Sequence, residues 1–177
     1  PTKSQNQRTL HLFYSINSKP ILLEVGGGYG HLAHQFSQCL NYNCTYIIID
    51  LPSSLLWSAL YLHLHNPSVE IYIHSPNNSD SDYLNAVGKS NFIFIPNHRI
   101  DLLEITHKFD FGINLLSFQE MTSSQVDSYC KVISCKLKGF FYSENCPKHW
   151  INQELDQFVE DILSKHFQLL PPPEKYL

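Results

Sequence analysis

Glu24, Asp50 and Glu120 are carboxylates that each fall at or just past the end of an apolar run. The first of them opens a glycine-rich stretch, Glu24-Val25-Gly26-Gly27-Gly28-Tyr29-Gly30. An ionised carboxylate offers two acceptor oxygens and no competing donor, which suits a pair of adjacent hydroxyls. Held beside a hydroxyl that must lose its proton, the same group serves as a general base. The glycines lack a Cβ, so they take positive φ angles and let a ligand approach the backbone closely. A helix that follows them turns its free N–H groups toward the same spot. The dinucleotide fingerprint needs glycine at the first, third and sixth positions. Counting from Gly26, the sixth position is His31, which disfavours a nicotinamide-dependent oxidoreductase.

What stands in the sequence is acidic-x-Gly-x-Gly-x-Gly, followed by a second acidic residue at the end of the next apolar run, Tyr46-Ile47-Ile48-Ile49-Asp50. This resembles the class I methyltransferases that use S-adenosyl-L-methionine. The resemblance implies a cofactor site at Glu24, Gly26, Gly27, Gly28, Gly30, Asp50, Leu51, Asn97 and Asn114, with Asp50 accepting hydrogen bonds from the ribose hydroxyls and Asn97 near the adenine ring. Four segments in order, the glycine stretch, Asp50-Leu51-Pro52, Asn114 with Ser117-Phe118-Gln119-Glu120-Met121, and Phe141-Tyr142-Ser143-Glu144-Asn145, look like the sugar O-methyltransferases of bacteria, from about residue 20 to residue 146. That family implies methyl transfer to a hydroxyl of a small-molecule or glycan acceptor. The O-methyltransferases of the caffeic-acid and hydroxyindole type are similar over the glycine turn and place a catalytic His after the fourth strand. That position falls on Gln119 here, and Gln is no base at neutral pH. Two arrangements stay open: Glu120 is the base, or Gln119 and Glu120 orient a hydroxyl by hydrogen bonds. The alternative to an enzyme is a cofactor-binding module without catalysis.

These residues need elements to position them. Ile21-Leu22-Leu23 reads as a buried strand, and His31 to Leu40 has helical apolar spacing at Leu32, Phe36 and Leu40. After the second strand, Ser53 or Ser54 is expected to cap a helix with its apolar face at Leu55, Leu56, Ala59, Leu60 and Leu64. Val69 to His74 reads as a short strand and Ser75 to Asp82 as a polar surface loop. Strands follow at Asn91–Ile95, stopped by Pro96-Asn97, and at Phe109–Leu116. Thr122-Ser123-Ser124-Gln125 has the form of a capping box. The helix it opens carries a stripe at Val126, Tyr129, Cys130, Ile133 and Leu137, with Gly139 as its stop. Phe140–Asn145 is the next strand, Leu155 to Leu163 outlines a last helix, and Phe167 to Leu170 begins a further strand before Pro171-Pro172-Pro173.

Strands alternating with helices predict an α/β fold, a mainly parallel sheet with helices on both faces. The resemblance makes it a Rossmann-like class I methyltransferase sheet, of whose C-terminal antiparallel edge only the beginning is expected. Residues 1–20 are read as an N-terminal lead-in and 21–177 as the cofactor-binding domain.

A chain of 177 residues that is 43% hydrophobic suffices for one packed domain. Its formal charge of −4, with no cluster of Lys or Arg, argues against nucleic-acid or membrane-surface partners. Two motif absences agree on nucleic acid. Cys146-Pro147 reverses the Pro-Cys order of cytosine-C5 methyltransferases, and no Asn-Pro-Pro-Tyr occurs. The five cysteines never form a C-x-x-C pair, which predicts neither a disulfide framework nor a zinc site and suggests a reducing, cytoplasmic setting. The ten histidines show no ligand spacing, so no metal is expected; His63 and His65, two apart on a predicted helix, diverge. No apolar run approaches the length of a membrane span.

Overall fold

A computed structural model describes residues 19–146 and 152–170. The long apolar runs form a six-stranded sheet: β1 Ile21–Val25, β2 Thr45–Asp50, β3 Ile71–Ile73, β4 Phe92–Pro96, β5 Phe109–Leu115 and β6 Leu137–Glu144. Among the described residues six α-helices accompany them: α1 His31–Cys39, α2 Pro52–His65, α3 Asp80–Lys89, α4 Asp101–Ile105, α5 Ser123–Lys136 and α6 Val159–His166. The strand order is β3-β4-β2-β1-β5-β6, and every pair is parallel.

Parallel strands buried on both faces split their side chains between two cores. Leu23, Val25, Ile47, Ile49, Ile93 and Ile95 face α3, α5 and α6, where Tyr83, Val126, Ile133 and Ile162 meet them. Leu22, Tyr46, Ile48, Phe92 and Phe94 face α1 and α2, where Ala33, Leu55 and Leu62 complete the layer. The chain runs from β1 outward on one side and returns to place β5 on the other, so the order reverses at β1. In open α/β sheets a crevice opens at that reversal, beyond the carboxyl ends of the strands.

Several expectations need correction. The stretch read as a loop through Asp82 ends in a helix: Ser79 caps α3, its Oγ accepting from the Asp82 N–H while Asp82 reaches back to the Ser79 N–H at 2.8 Å. Tyr83, Ala86 and Val87 then supply the buried stripe. Neither Ser53 nor Ser54 caps α2, which begins at Pro52, a residue whose fixed φ suits the first helical position. Gly139 does not stop α5. The helix ends at Lys136, and Gly139 lies inside β6, where any Cβ would run into the carbonyl oxygen of Asp110. Phe167 to Leu170 form no strand; Phe167 instead stacks on Phe141 with ring centroids 5.3 Å apart. Among the described residues the sheet therefore has no antiparallel edge. Most of the predicted lead-in and the Pro171–Pro173 break lie outside the described residues.

Candidate functional site

The turn after β1 shows why its glycines are needed. Gly26, Gly28 and Gly30 have φ of 79°, 55° and 90°, the left-handed region that side chains disfavour. At Gly26 a Cβ would also collide with Ser117, which follows β5. The turn is tied to β2 by the Gly26 N–H donating to the Ile49 carbonyl at 2.9 Å. Asp50, at the end of β2, accepts from the Gly28 N–H at 2.9 Å through Oδ2 and from the Leu51 N–H at 2.6 Å through Oδ1. Each carboxylate oxygen has a second acceptor direction. Asp50 therefore shapes the turn and still presents acceptor capacity to a ligand.

A cavity of about 400 Å³ opens at this point, within the range of small-molecule sites. Gly26, Asp50, Leu51, Asn97 and Glu120, all sequence candidates, line it. Glu24, Gly27, Gly28, Gly30, Asn114 and Gln119 do not. Sequence reasoning missed Ile49, Ile100, Ser117, Met121 and the face of α5 that carries Ser124, Gln125, Ser128 and Tyr129. The signal for that face was the i, i+4 spacing of Ser124 and Ser128 just inside the capping box, which is present as expected: the Thr122 side chain accepts from the Gln125 N–H. Among the described residues the lining includes two carboxylates, Asp50 and Glu120, and no Lys, Arg or His.

Asn97 is carried on a short turn, Asn97–Arg99, and a polar cluster braces that turn. The Arg99 guanidinium donates to Asp80 and Asp101, each at 2.9 Å, and to His74 Nε2 at 2.7 Å. A guanidinium only donates, so Nε2 accepts and His74 carries its proton on Nδ1, facing the Tyr72 hydroxyl at 3.1 Å. Burial and the adjacent Arg99 charge hold the His74 pKa below the usual imidazole value, consistent with a neutral ring.

Asn114 and Gln119 serve the frame. Asn114 is fully buried; its Nδ2 donates to the Val25 carbonyl at 3.0 Å and to the Ser117 hydroxyl, and its Oδ1 accepts from Asn145 at 2.8 Å. Gln119 Oε1 accepts from the Cys146 N–H at 2.7 Å, and the Asn145 Oδ1 accepts from the Gln119 N–H. These bonds lock together the carboxyl ends of β1, β5 and β6. Glu120, beside Gln119, is exposed and faces the cavity.

Glu24 lies beneath the turn. It is 2% exposed, its Oε2 makes no hydrogen bond, and a Cβ at Gly27 would come within 3.4 Å of that oxygen. Burial pushes its pKa up to about 7, opposed by the Tyr46 hydroxyl beside it and reinforced by the Asp50 charge. Among the described residues no three His, Cys, Asp or Glu side chains gather as a metal site, and no helix is long and apolar enough to cross a membrane.

No family model and no curated protein matches this sequence. Among solved structures the chain is similar to the magnesium protoporphyrin IX methyltransferase of Synechocystis PCC 6803 with bound SAH, at 12% identity and a TM-score of 0.54, over 92% of this chain and 69% of that one. It is also similar to LepI in complex with SAH and a substrate analogue, at 13% identity and a TM-score of 0.49, over 86% of this chain and 38% of that one. A bacterial Hen1 methyltransferase domain matches at 12% identity and a TM-score of 0.46, over 75% of this chain and 60% of that one. The chain thus spans less than two thirds of the last two. At such identities what is shared is architecture, and on the first of these matches the six parallel strands with helices on both faces have the fold of a Rossmann-like class I methyltransferase.

Proposed function

We propose that residues 21–177 form a methyltransferase domain that binds S-adenosylmethionine in the cavity beside Gly26 and Asp50 and methylates a hydroxyl, on a sugar or glycoconjugate. The observation that carries the cofactor reading is the charge of the cavity wall, which among the described residues has two carboxylates and no cation. S-adenosylmethionine brings a sulfonium, an ammonium and a ribose diol, all of which suit carboxylate partners. A nicotinamide dinucleotide brings a pyrophosphate and would find no Lys or Arg among the described residues of the wall. The open space at Gly28, where a Cβ would touch nothing within 4 Å, leaves the turn accessible to a ligand. The acceptor class is supported by the four motif segments that resemble the bacterial sugar O-methyltransferases. The SAH bound in the similar Synechocystis methyltransferase agrees with the cofactor.

The cofactor supplies a methyl group on a sulfonium, ready for in-line displacement by an oxygen. The work left to this chain is positioning and proton removal. Asp50 holds the diol with the lone pairs not committed to Gly28 and Leu51. Asn97 offers an amide donor and acceptor to the base, held in place through Arg99. Glu120 takes the proton of the attacking hydroxyl; among the described residues it is the only carboxylate in the wall besides Asp50. Gln119 keeps Glu120 in register by tying its own segment to Cys146.

Calorimetric titration with S-adenosylmethionine and S-adenosylhomocysteine tests the first half. Micromolar binding, about −8 kcal/mol, weakened at least tenfold by Asp50→Ala, is expected; no binding by the folded chain refutes it. Glu120→Gln tests the second half against a panel of sugars. The rate is expected to fall by roughly 10²-fold or more with cofactor affinity nearly unchanged, and an unaltered rate removes Glu120 as the base.

A further inference from the structure

Among the described residues four side chains of the cavity wall carry a hydroxyl: Ser117, Ser124, Ser128 and Tyr129. Three of these hydroxyls are taken up by the chain itself. Ser117 donates to the Val25 carbonyl at 2.8 Å, Ser128 donates to the Ser124 carbonyl at 2.8 Å, and the Ser124 hydroxyl pairs with that of Thr122 at 3.1 Å. Among the described residues the Tyr129 hydroxyl has no hydrogen-bond partner. The buried side-chain atoms that lack a partner there are Glu24 Oε2 and the Tyr46 hydroxyl. The Tyr129 hydroxyl is not one of them, so it reaches open space, and the space it lines is the cavity.

The ring behind that hydroxyl is fixed. Tyr129 is 5% exposed, stands in the buried stripe of α5 between Val126 and Ile133, and packs on Phe118 with ring centroids 6.2 Å apart. A donor held in place before a ligand arrives costs little ordering on binding. Burial, reinforced by the Asp50 charge, raises the phenol pKa to about 12, so at neutral pH the proton stays on.

We propose that Tyr129 is a ligand-binding residue whose hydroxyl donates to the same ligand hydroxyl that donates to Asp50. The inference rests on the cofactor reading above, in which that hydroxyl belongs to the ribose. Asp50 and Tyr129 share the cavity wall, and no hydrogen bond joins them; the Asp50 oxygens accept from the Gly28 and Leu51 N–H groups instead. A group between the two side chains meets an acceptor on one side and a donor on the other, since an ionised carboxylate only accepts and the phenol has a proton to give. An ammonium cannot accept a hydrogen bond, a sulfonium cannot donate one, and a carboxylate cannot donate one either. Adenine divides donor and acceptor between separate atoms. A single hydroxyl does both. Held by Asp50 alone, a ribose hydroxyl would leave its own oxygen without the donor that water had supplied, and an unmet buried acceptor is costly. Tyr129 supplies that donor.

Calorimetry with S-adenosylhomocysteine compares the full chain with Tyr129→Phe. Losing one neutral hydrogen bond is expected to weaken binding roughly three- to tenfold. The 2′-deoxy and 3′-deoxy analogues of S-adenosylhomocysteine identify the partner: with one of them the two proteins should bind alike, because the hydroxyl that Tyr129 serves is gone. A penalty that persists on both analogues overturns the proposal, as does a Tyr129→Phe variant that binds S-adenosylhomocysteine as tightly as the unaltered chain. Either result leaves the cofactor reading standing, whereas failure of the unaltered chain to bind refutes both. Urea unfolding without ligand separates binding from a structural role. Phe keeps the ring on Phe118 and gives up no hydrogen bond in the free protein, so stability is expected to be equal or higher; a marked loss of stability overturns the assignment.

Discussion

Replacing Glu24 by Gln should make the protein more stable at pH 8 and leave it nearly unchanged at pH 4.5. The carboxyl is buried under the glycine turn with one oxygen unpartnered, and its pKa rises from 4.5 to about 7 on folding. Between those values the native state holds a proton that the unfolded chain releases, so the unfolding free energy falls as pH rises. The penalty is absent below about pH 4.5 and complete above about pH 7. A shift of that size corresponds to about 3 kcal/mol, a large share of the ~5–15 kcal/mol that a domain typically has. Gln keeps the shape and cannot ionise, so Glu24→Gln removes the slope.

The measurement is urea unfolding of both proteins from pH 4.5 to pH 8, followed by far-ultraviolet circular dichroism. Other groups titrate in the same window with the opposite sign. His34 and His74 have lowered pKa values, mainly through burial, and so favour folding as pH rises through the usual imidazole range. They are common to both proteins, and the difference between the two stability curves isolates Glu24. That difference should grow toward pH 7 and then level off. A flat difference, or a Gln variant that is less stable at every pH, refutes the account of Glu24 as a buried acid held neutral.

Gly26→Ala meets both a positive φ and the Ser117 side chain; a loss of more than about 2 kcal/mol in urea unfolding and of cofactor binding by calorimetry is expected. Asn114→Ala removes one of two donors to the Val25 carbonyl, leaving Ser117, and one of two acceptors of the Asn145 amide, leaving Ser143, at a fully buried point. It should cost about 3 kcal/mol in the same assay, whereas a cost under about 1 kcal/mol would show that the lock between β1, β5 and β6 is dispensable. Thr122→Ala removes the cap of α5. It should cost about 1 kcal/mol in thermal unfolding.

The sheet was legible because most of its strands are apolar runs bounded by turn residues; strand order and register come only from the structure. What escaped depended on partners far along the chain. Ser79 and Asp82 sit in a run of Asn, Ser and Asp that looks like loop, yet the same polar side chains that favour turns also close the first turn of α3 once Tyr83 and Val87 have a core to enter. Gly139 carries the local mark of a helix stop. Its actual constraint is the Asp110 carbonyl against which β6 is pressed, and no local pattern reports a contact across a sheet.

The site divides along the same line. Gly26, Asp50 and Asn97 were readable because each ends or directly follows a strand, and parallel strands deliver their carboxyl ends to one crevice. Side-chain chemistry already made Glu120 the base candidate of the adjacent pair past β5, but which of Gln119 and Glu120 faces the ligand is decided by the three-dimensional arrangement. The short turn Phe118–Glu120 rotates Gln119 inward, where the Cys146 N–H takes its oxygen, and leaves Glu120 on the cavity side. The pairing is reciprocal. A side chain fixed by a main-chain donor loses the freedom to follow a substrate, while its fixation holds the neighbouring carboxylate at the cavity wall, where the proposed acceptor hydroxyl would arrive. Gln119→Ala should therefore lower turnover by misplacing Glu120, with cofactor affinity held by Asp50 and the glycine turn, and a kcat against KM comparison with Glu120→Gln distinguishes a positioning residue from the base.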